Sequence, residues 1–408
     1  MPDPIKGTVK AAISSKKNSP NISSINHKFY KEGKRVKIKH SINGDSVNGI
    51  NLWYVLHNDT FIHAGSVEPD RDVKFISKEI LLTADDLGVV EEIDRGAVDA
   101  INKGLINSIA VMVNQRTDDL DRPREIRRLL EELDDDGAIY RSSHIGLHFT
   151  VTSGKPLSDP ANVSSLVNGD RFKLYGKYWG ELDGRHINSE YVGHFKDELE
   201  LQYQRFCDVF ERPPDHLTTH HDTHTYSKEL FEAFHEFAKT REPDRQIPVR
   251  SHVFVPWIRR FMFDVGGVSD VDILSVGRMK KLMERWNDRD YRSLTDYIDI
   301  RFYGPVGEIN KRLEYTKAVN KKTKRFKEKI LKRFLTSDSE TMELLIHLIE
   351  HQGNKCFKGG FEESVYLKGY KGMKLKYFGG RCAEHEALRL IGSLKNRNEV
   401  EFMPRINN

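Results

Sequence analysis

Three cysteines in 408 residues, Cys207, Cys356 and Cys382, are too few and too widely spaced for a disulfide framework. No CxxC pair offers the thiolates of a zinc site. No window approaches the roughly 20 apolar residues that a membrane span needs. The opening stretch "MPDPIKGTVKAAISSKKNSPN" lacks the apolar core of a secretory signal, so a cytoplasmic chain without a membrane span is the expectation. Charge of one sign is missing as well: 65 Lys and Arg face 61 Asp and Glu, a formal net charge of +4, which argues against a global polyanion partner. There are no internal repeats. What the chain does have is 17 histidines, several of them crowded into one short stretch.

The chain changes rhythm along its length. Residues 1–25 are rich in Lys, Ser and Asn and read as a flexible tail. In residues 26–75, "KRVKIKHSI" alternates, "NGDSVNG" supplies turn residues, and "NLWYVLH" alternates again, as in a small β unit. The segment "INLWYVLHNDTFIHAGSV" resembles bacterial SH3-like domains; Trp53, Tyr54 and Phe61 read as its core, and the resemblance implies a module that could take glycan or peptide. "EPDRD" at 68–72 reads as a linker. Strand-length apolar runs then alternate with amphipathic stretches: "KEILLTA", "VEEIDRGAVDAINKGL", "INSIAVMVN", "DRPREIRRLLEELDDDG" with its early proline, "SSHIGLHFTV", "EYVGHFKDELELQYQRFCDVF", "DHLTTH", "SKELFEAFHEFAKTR" capped by Ser227, and "RQIPVR". This βαβα series implies an α/β fold with a parallel sheet or barrel and helices outside. The stretch 311–333 holds 11 Lys and Arg against 2 Glu and reads as a solvated helix face, since its few aromatics speak against a nucleic-acid patch.

Polar residues gather where the strand-like runs end. Asp85 and Asp86 close "LLTADD", His148 lies in "SHIGLHFTV", His220, His221, Asp222 and His224 follow "DHLTT", Arg250 ends "IPVR", and His347 ends "MELLIH". In a parallel α/β barrel the carboxyl ends of the strands share one rim, so these residues would converge. One carboxylate and two imidazoles make a three-ligand site for a divalent ion with a position open for water. A second carboxylate beside them can take that water's proton. Adjacent strand residues face opposite ways, so Asp85 and Asp86 share a site only if the strand ends there and turns, which Gly88 allows. Taken alone, the doublet also reads as a helix cap, His148 as a hydrogen-bonded strand histidine, and the histidine run as an adventitious surface cluster.

In this order and content, residues 79–408 resemble the YdjC-like carbohydrate deacetylase family. "LLTADDLGVVEEIDRGAVDAINKGLINSIAVMVN" matches its Asp-Asp-Phe-Gly-type opening, "HIGLHFTVTSGKPLSDP" its Gly-Leu-His-Leu strand and Gly-x-Pro-Leu turn, and "RPPDHLTTHHDTH" its Pro-x-His run. The resemblance implies a distorted (β/α) TIM-like barrel over 76–408 with an enlarged insertion around 255–340, preceded by the small all-β module. It implies removal of N-acetyl groups from amino-sugar oligosaccharides with a divalent ion, Zn²⁺ or Mg²⁺. By position Asp85 would be the catalytic base, and Asp86, His148 and His220 the metal ligands. His347 would be the general acid and Arg250 would orient the base or hold substrate. His224, Asp222 and Asn114 would stand behind the ligands or face substrate. The N-acetylated oligosaccharide is the implied partner, with a homodimer as a compatible assembly. Three departures stand out: Thr218 replaces a family aspartate, Asp222 a family histidine, and "HLI" a His-Pro-Gly. A hydrolase for another amide or ester on a glycan or nucleotide-sugar, or a glycan-binding protein, are the rival readings.

Overall fold

The computed structural model describes residues 4–115, 121–134, 136–173, 187–225, 227–242, 247–250, 293–294, 298–299, 331–337, 341–348, 388 and 401–402. They fall into two units: Met1–Leu81 with Lys311–Met342 and Glu386–Met403, and Leu82–Asn310 with Glu343–His385 and Pro404–Asn408. The expected insertion around 255–340 and the basic stretch 311–333 lie almost wholly outside the described residues.

The first unit is built on a seven-stranded antiparallel sheet. Its strands are β1 (Ile5–Val9), β2 (Ile13–Lys16), β3 (Asn26–Tyr30), β4 (Arg35–Val47), β5 (Ile50–Leu56), β6 (Phe61–His63) and β7 (Val67–Pro69), in the order β3-β2-β6-β5-β4-β1-β7. The described part of the expected tail, residues 4–25, instead supplies two strands of this sheet. β1 pairs with both β4 and β7, and β2 with both β3 and β6. Each of these strands shows only four or five residues of alternation, and the Lys and Ser around them mask it. The supposed linker "EPDRD" likewise begins inside β7. The turn expected over "NGDSVNG" is confined to Asn48 and Gly49, which sit at φ 53° and 80°, the left-handed pair that closes a two-residue hairpin. β4 runs on through Val47 with an irregular register, so this hairpin is longer than its sequence pattern implies. Val9, Tyr30, Val36, Ile38, Tyr54, Leu56, Ile62 and Val67 form its core.

The second sheet contains β8 (Glu79–Leu87), β9 (Ser108–Val111), β10 (His144–Phe149), β13 (Leu217–Thr219), β14 (Val249–Arg250), β15 (Ser293–Leu294), β16 (Ile298–Asp299) and β17 (Thr341–Ile346). Their order is β15-β14-β13-β10-β9-β8-β17-β16, and β18 (Glu401–Phe402) also pairs with β8. The pairs β8/β9, β9/β10, β10/β13, β13/β14, β14/β15, β16/β17 and β18/β8 are parallel. A short hairpin, β11 (Val167–Asn168) and β12 (Arg171–Phe172), stands apart. The connections carry α1 (Glu91–Asn102), α2 (Arg122–Glu131), α3 (Ala138–Ser142), α4 (Ser189–Phe210) and α5 (Lys228–Thr240); α6 (Lys332–Thr336) belongs to the first unit.

Local chemistry sets these boundaries. Pro123 opens α2, where a missing N–H costs nothing. The Asn188 side chain caps α4 through Tyr191 N–H, and the Ser227 side chain caps α5 through Leu230 N–H. Phe149 of β10 packs edge-on against Phe195 of α4 and stacks with Phe234 of α5, tying both helices to the strand that carries His148.

Candidate metal centre

The Asp85–Asp86 doublet does not cap a helix. The residue before α1 is Val90, and no side chain caps that helix. Nor does β8 end at the doublet. Ala84 pairs with Ile109 and Leu87 with Val111, so three steps on β8 span two on β9. This one-residue bulge changes the face on which the next side chain lies, and two adjacent carboxylates can then approach one site. Asp86 takes the left-handed conformation, φ 69°, which aspartate tolerates better than most residues. Gly88, at φ 97°, completes the bend; a Cβ there would stand 2.6 Å from Met112 O.

Asp94 of α1 secures this bend from behind. It is buried, accepts the Gly88 N–H at 2.6 Å, and forms an ion pair with Arg122 of α2. Burial pushes its carboxyl up to about 6, against the pull of Arg122 and the Gly88 N–H. Between its ordinary 3.8 and about 6 the folded chain therefore holds a proton that the unfolded chain has released. Stability should fall as pH rises through this window, by about 1.4 kcal/mol per unit from this group alone. Denaturant unfolding at pH 4 and pH 7 should show this slope in the native protein and lack it in Asp94→Asn.

Asp86, His148 and His220 are all buried and bring one donor atom each within 4.8 Å of the others. Asp86 Oδ1 lies 3.3 Å from His148 Nε2 and 3.0 Å from His220 Nδ1. Two donors on one tetrahedral zinc stand about 3.3 Å apart, given Zn–N and Zn–O bonds near 2.0–2.1 Å. The donor set therefore fits a divalent ion. The register explains the convergence: His148 pairs with Thr218 across β10 and β13, and His220 follows β13 directly as the chain enters a 3₁₀ turn over His220–Thr225. Burial holds His220 below its ordinary imidazole value, against the opposing charge of Asp86. A neutral ring is the form that binds metal.

Thr218, where the resemblance led an aspartate to be expected, has a part of its own in the site. Its hydroxyl lies 2.7 Å from His148 Nδ1. With the proton on Nδ1, the hydroxyl accepts it and Nε2 keeps its lone pair for the ion. Thr218→Val should keep the ring buried but lose this restraint. Zinc affinity, measured by competition with a chromophoric chelator, should drop roughly 10–100-fold.

Asp85 faces other partners. Arg250 donates from Nη1 to Asp85 Oδ2 at 2.5 Å and from Nη2 to Asp85 Oδ1 at 2.7 Å, a two-pronged pair that is buried on both sides. Burial by itself raises the Asp85 carboxyl; the charge of Arg250, then His148, the Arg250 hydrogen bonds and His347 outweigh it, and the carboxyl ends below its ordinary value. Asp85 is thus ionised at neutral pH. Glu343 of β17 holds the far side of Arg250, accepting from Nε at 2.9 Å and from Nη2 at 2.8 Å. His347, a sixth exposed at 17%, brings Nε2 to 3.7 Å from Asp86 Oδ2.

The remaining candidates sit elsewhere. His224 is fully buried, with Nδ1 2.6 Å from Thr219 Oγ1 and its ring against Phe231 and Phe234, outside the ligand group. Asn114 donates to the carbonyls of Ser153 and Lys155 at 2.8 and 2.9 Å and so braces the loop after β10. The Asp222 side chain lies outside the described residues. Sequence reasoning passed over Glu343, although a lone carboxylate inside "MELLI", two and four residues before Leu345 and His347, was a signal for a residue on the same strand face. It also passed over His216, whose ring is fully buried against Gly146, where a Cβ would stand 2.3 Å from Nε2. Burial, with the charges of Arg250 and His144 acting the same way, pushes that ring down to about 3.

Comparison with known proteins identifies what the chain is similar to. A family model described as YdjC-like protein matches residues 79–363. Chitooligosaccharide deacetylases of Salmonella paratyphi B and Salmonella newport are 30% identical over 167 residues, covering 41% of this chain and 58% of theirs. The chain thus spans less than two thirds of the length of these relatives. The crystal structure of a protein from Enterococcus faecalis V583, described as acting in cellobiose-phosphate cleavage, superposes with a TM-score of 0.53 at 18% identity, over 80% of this chain and 97% of that one. That likeness concerns the fold.

Proposed function

From the premise that the chain belongs to the YdjC-like family, we propose that it is a metal-dependent carbohydrate deacetylase that hydrolyses the acetamido group of N-acetylated amino-sugar oligosaccharides. The observation that carries this reading is the buried Asp86–His148–His220 donor group beside an ionised, arginine-held Asp85. The names of the deacetylase relatives support the substrate class. In the same reading the parallel sheet belongs to a distorted (β/α) barrel, and the antiparallel unit, with its SH3-like segment, serves as an attachment module for glycan or peptide.

Asp86, His148 and His220 would hold the ion. Two imidazoles and one carboxylate favour Zn²⁺ over Mg²⁺, which prefers all-oxygen ligands. When bound, the ion supplies Lewis acidity, lowering the pKa of water and polarising a carbonyl. Asp85 accepts a proton from the attacking water as its oxygen adds to the acetyl carbon. Two of its lone-pair sites are taken by Arg250, which fixes the carboxylate plane and leaves lone pairs for the water. His347 donates a proton to the sugar nitrogen as the C–N bond breaks. Its partial exposure gives it contact with the solvent that must recharge it. The products are acetate and a free amino sugar. Mass spectrometry of N-acetylglucosamine oligomers incubated with zinc-loaded protein tests this directly. Oligomers of unchanged length that have lost acetyl groups support the reading; shortened oligomers, or none changed, overturn it.

A further inference from the structure

The strand β17 contributes a third carboxylate to the centre, after Asp85 and Asp86, and nothing in the donor set or the proposed chemistry uses it directly. Glu343 is almost fully buried, at 1% exposed. A lone charge there would be costly, so its surroundings must answer it. Among the described residues Arg250 does so: Glu343 Oε1 accepts from both its Nε and its Nη2. The same guanidinium presents Nη1 and Nη2 to the two oxygens of Asp85. Nε–H, both Nη2 hydrogens and one Nη1 hydrogen are thus shared between two carboxylates.

We propose that Glu343 is a positioning residue for Asp85, acting through Arg250. A guanidinium held from one end alone can swing about its side-chain torsions and carry the opposing carboxylate with it. Gripped at Nε as well, its plane is fixed and its two terminal nitrogens meet Asp85 in a set orientation. Glu343 also offsets the cation, so Asp85 does not face an undivided positive charge. Among the described residues Glu343 Oε2 accepts no hydrogen bond, so a glutamine could keep the Oε1 contacts and set its amide nitrogen where Oε2 stands. The consequence for turnover rests on the deacetylase reading; the geometric coupling does not.

Glu343→Gln and Glu343→Leu separate the two. In protein labelled with ¹⁵N-arginine, the Arg250 Nε–H signal is assigned by its loss in Arg250→Lys. It should be protected from solvent exchange in the native protein and in E343Q, and exchange at least about tenfold faster in E343L. With zinc content equal by elemental analysis, E343L should lose roughly 10–100-fold in kcat with KM nearly unchanged, and E343Q should recover most of it. An Arg250 signal indifferent to E343L overturns the proposal whatever the activity. So does full kcat in folded, metal-loaded E343L. An expected Arg250 response in a protein that releases no acetate supports the coupling and instead counts against the deacetylase reading. Should E343L not fold, the comparison moves to an Arg250→Met background. There E343Q and E343L should share one kcat, and a difference between them would overturn the route through Arg250.

Discussion

Asp85→Asn should retain its metal and lose about 10²–10⁴-fold in kcat. The donor atoms that could hold the ion belong to Asp86, His148 and His220, and none of them is altered. Asparagine preserves the shape of the side chain but cannot accept a proton from water. Its amide can still offer one oxygen to Arg250, whose other face remains gripped by Glu343, so the guanidinium is not left without an anion. The variant therefore separates proton transfer from folding and from metal binding. Elemental analysis should give the native metal content, and acetate release should give the loss. Native turnover in Asp85→Asn would remove Asp85 from the chemistry and shift attention to His347 as the group that moves the proton.

Asp86→Ala should fail to hold the metal at all, and His148→Ala should do the same. Both imidazoles face the same oxygen of Asp86, at 3.3 and 3.0 Å, so its loss removes the donor around which the group is arranged. A bound ion stabilises the folded state by mass action, by about 2.7 kcal/mol at a free concentration 100 times Kd. Added zinc should therefore raise the melting temperature of metal-stripped native protein. It should leave Asp86→Ala and His148→Ala where they were. This readout needs no substrate, and an equal zinc-induced shift in the variants would place the ion elsewhere. Asp85→Asn should respond to zinc as the native protein does, which makes it the internal control.

Much of this centre was legible in the sequence, for a physical reason. Parallel strands put their carboxyl ends on one rim, so Asp86, His148, His220 and Arg250, spread over 165 residues, could be brought together from strand position alone. The helices were legible because their caps and periodicity are local; Ser227 and Pro123 announce α5 and α2. What escaped depended on pairing. The doublet shares a site through a bulge, and a bulge is a mismatch between two strands that neither strand displays by itself. Thr218 looked like a lost aspartate because its role depends on lying opposite His148 in register. Glu343 was overlooked because a lone carboxylate in an apolar run marks a strand face without showing which charge answers it, and that partner, Arg250, comes from another strand. Residues 5–16 hold two strands too short and too lysine-rich to show an alternation above chance.

Acetate release from N-acetylglucosamine oligomers by metal-stripped protein, before and after stoichiometric Zn²⁺ is returned, tests the central claim most directly. The account predicts no release from the stripped protein, recovery on adding zinc, and no recovery in Asp86→Ala at the same zinc concentration. Release that is equal with and without metal would contradict it.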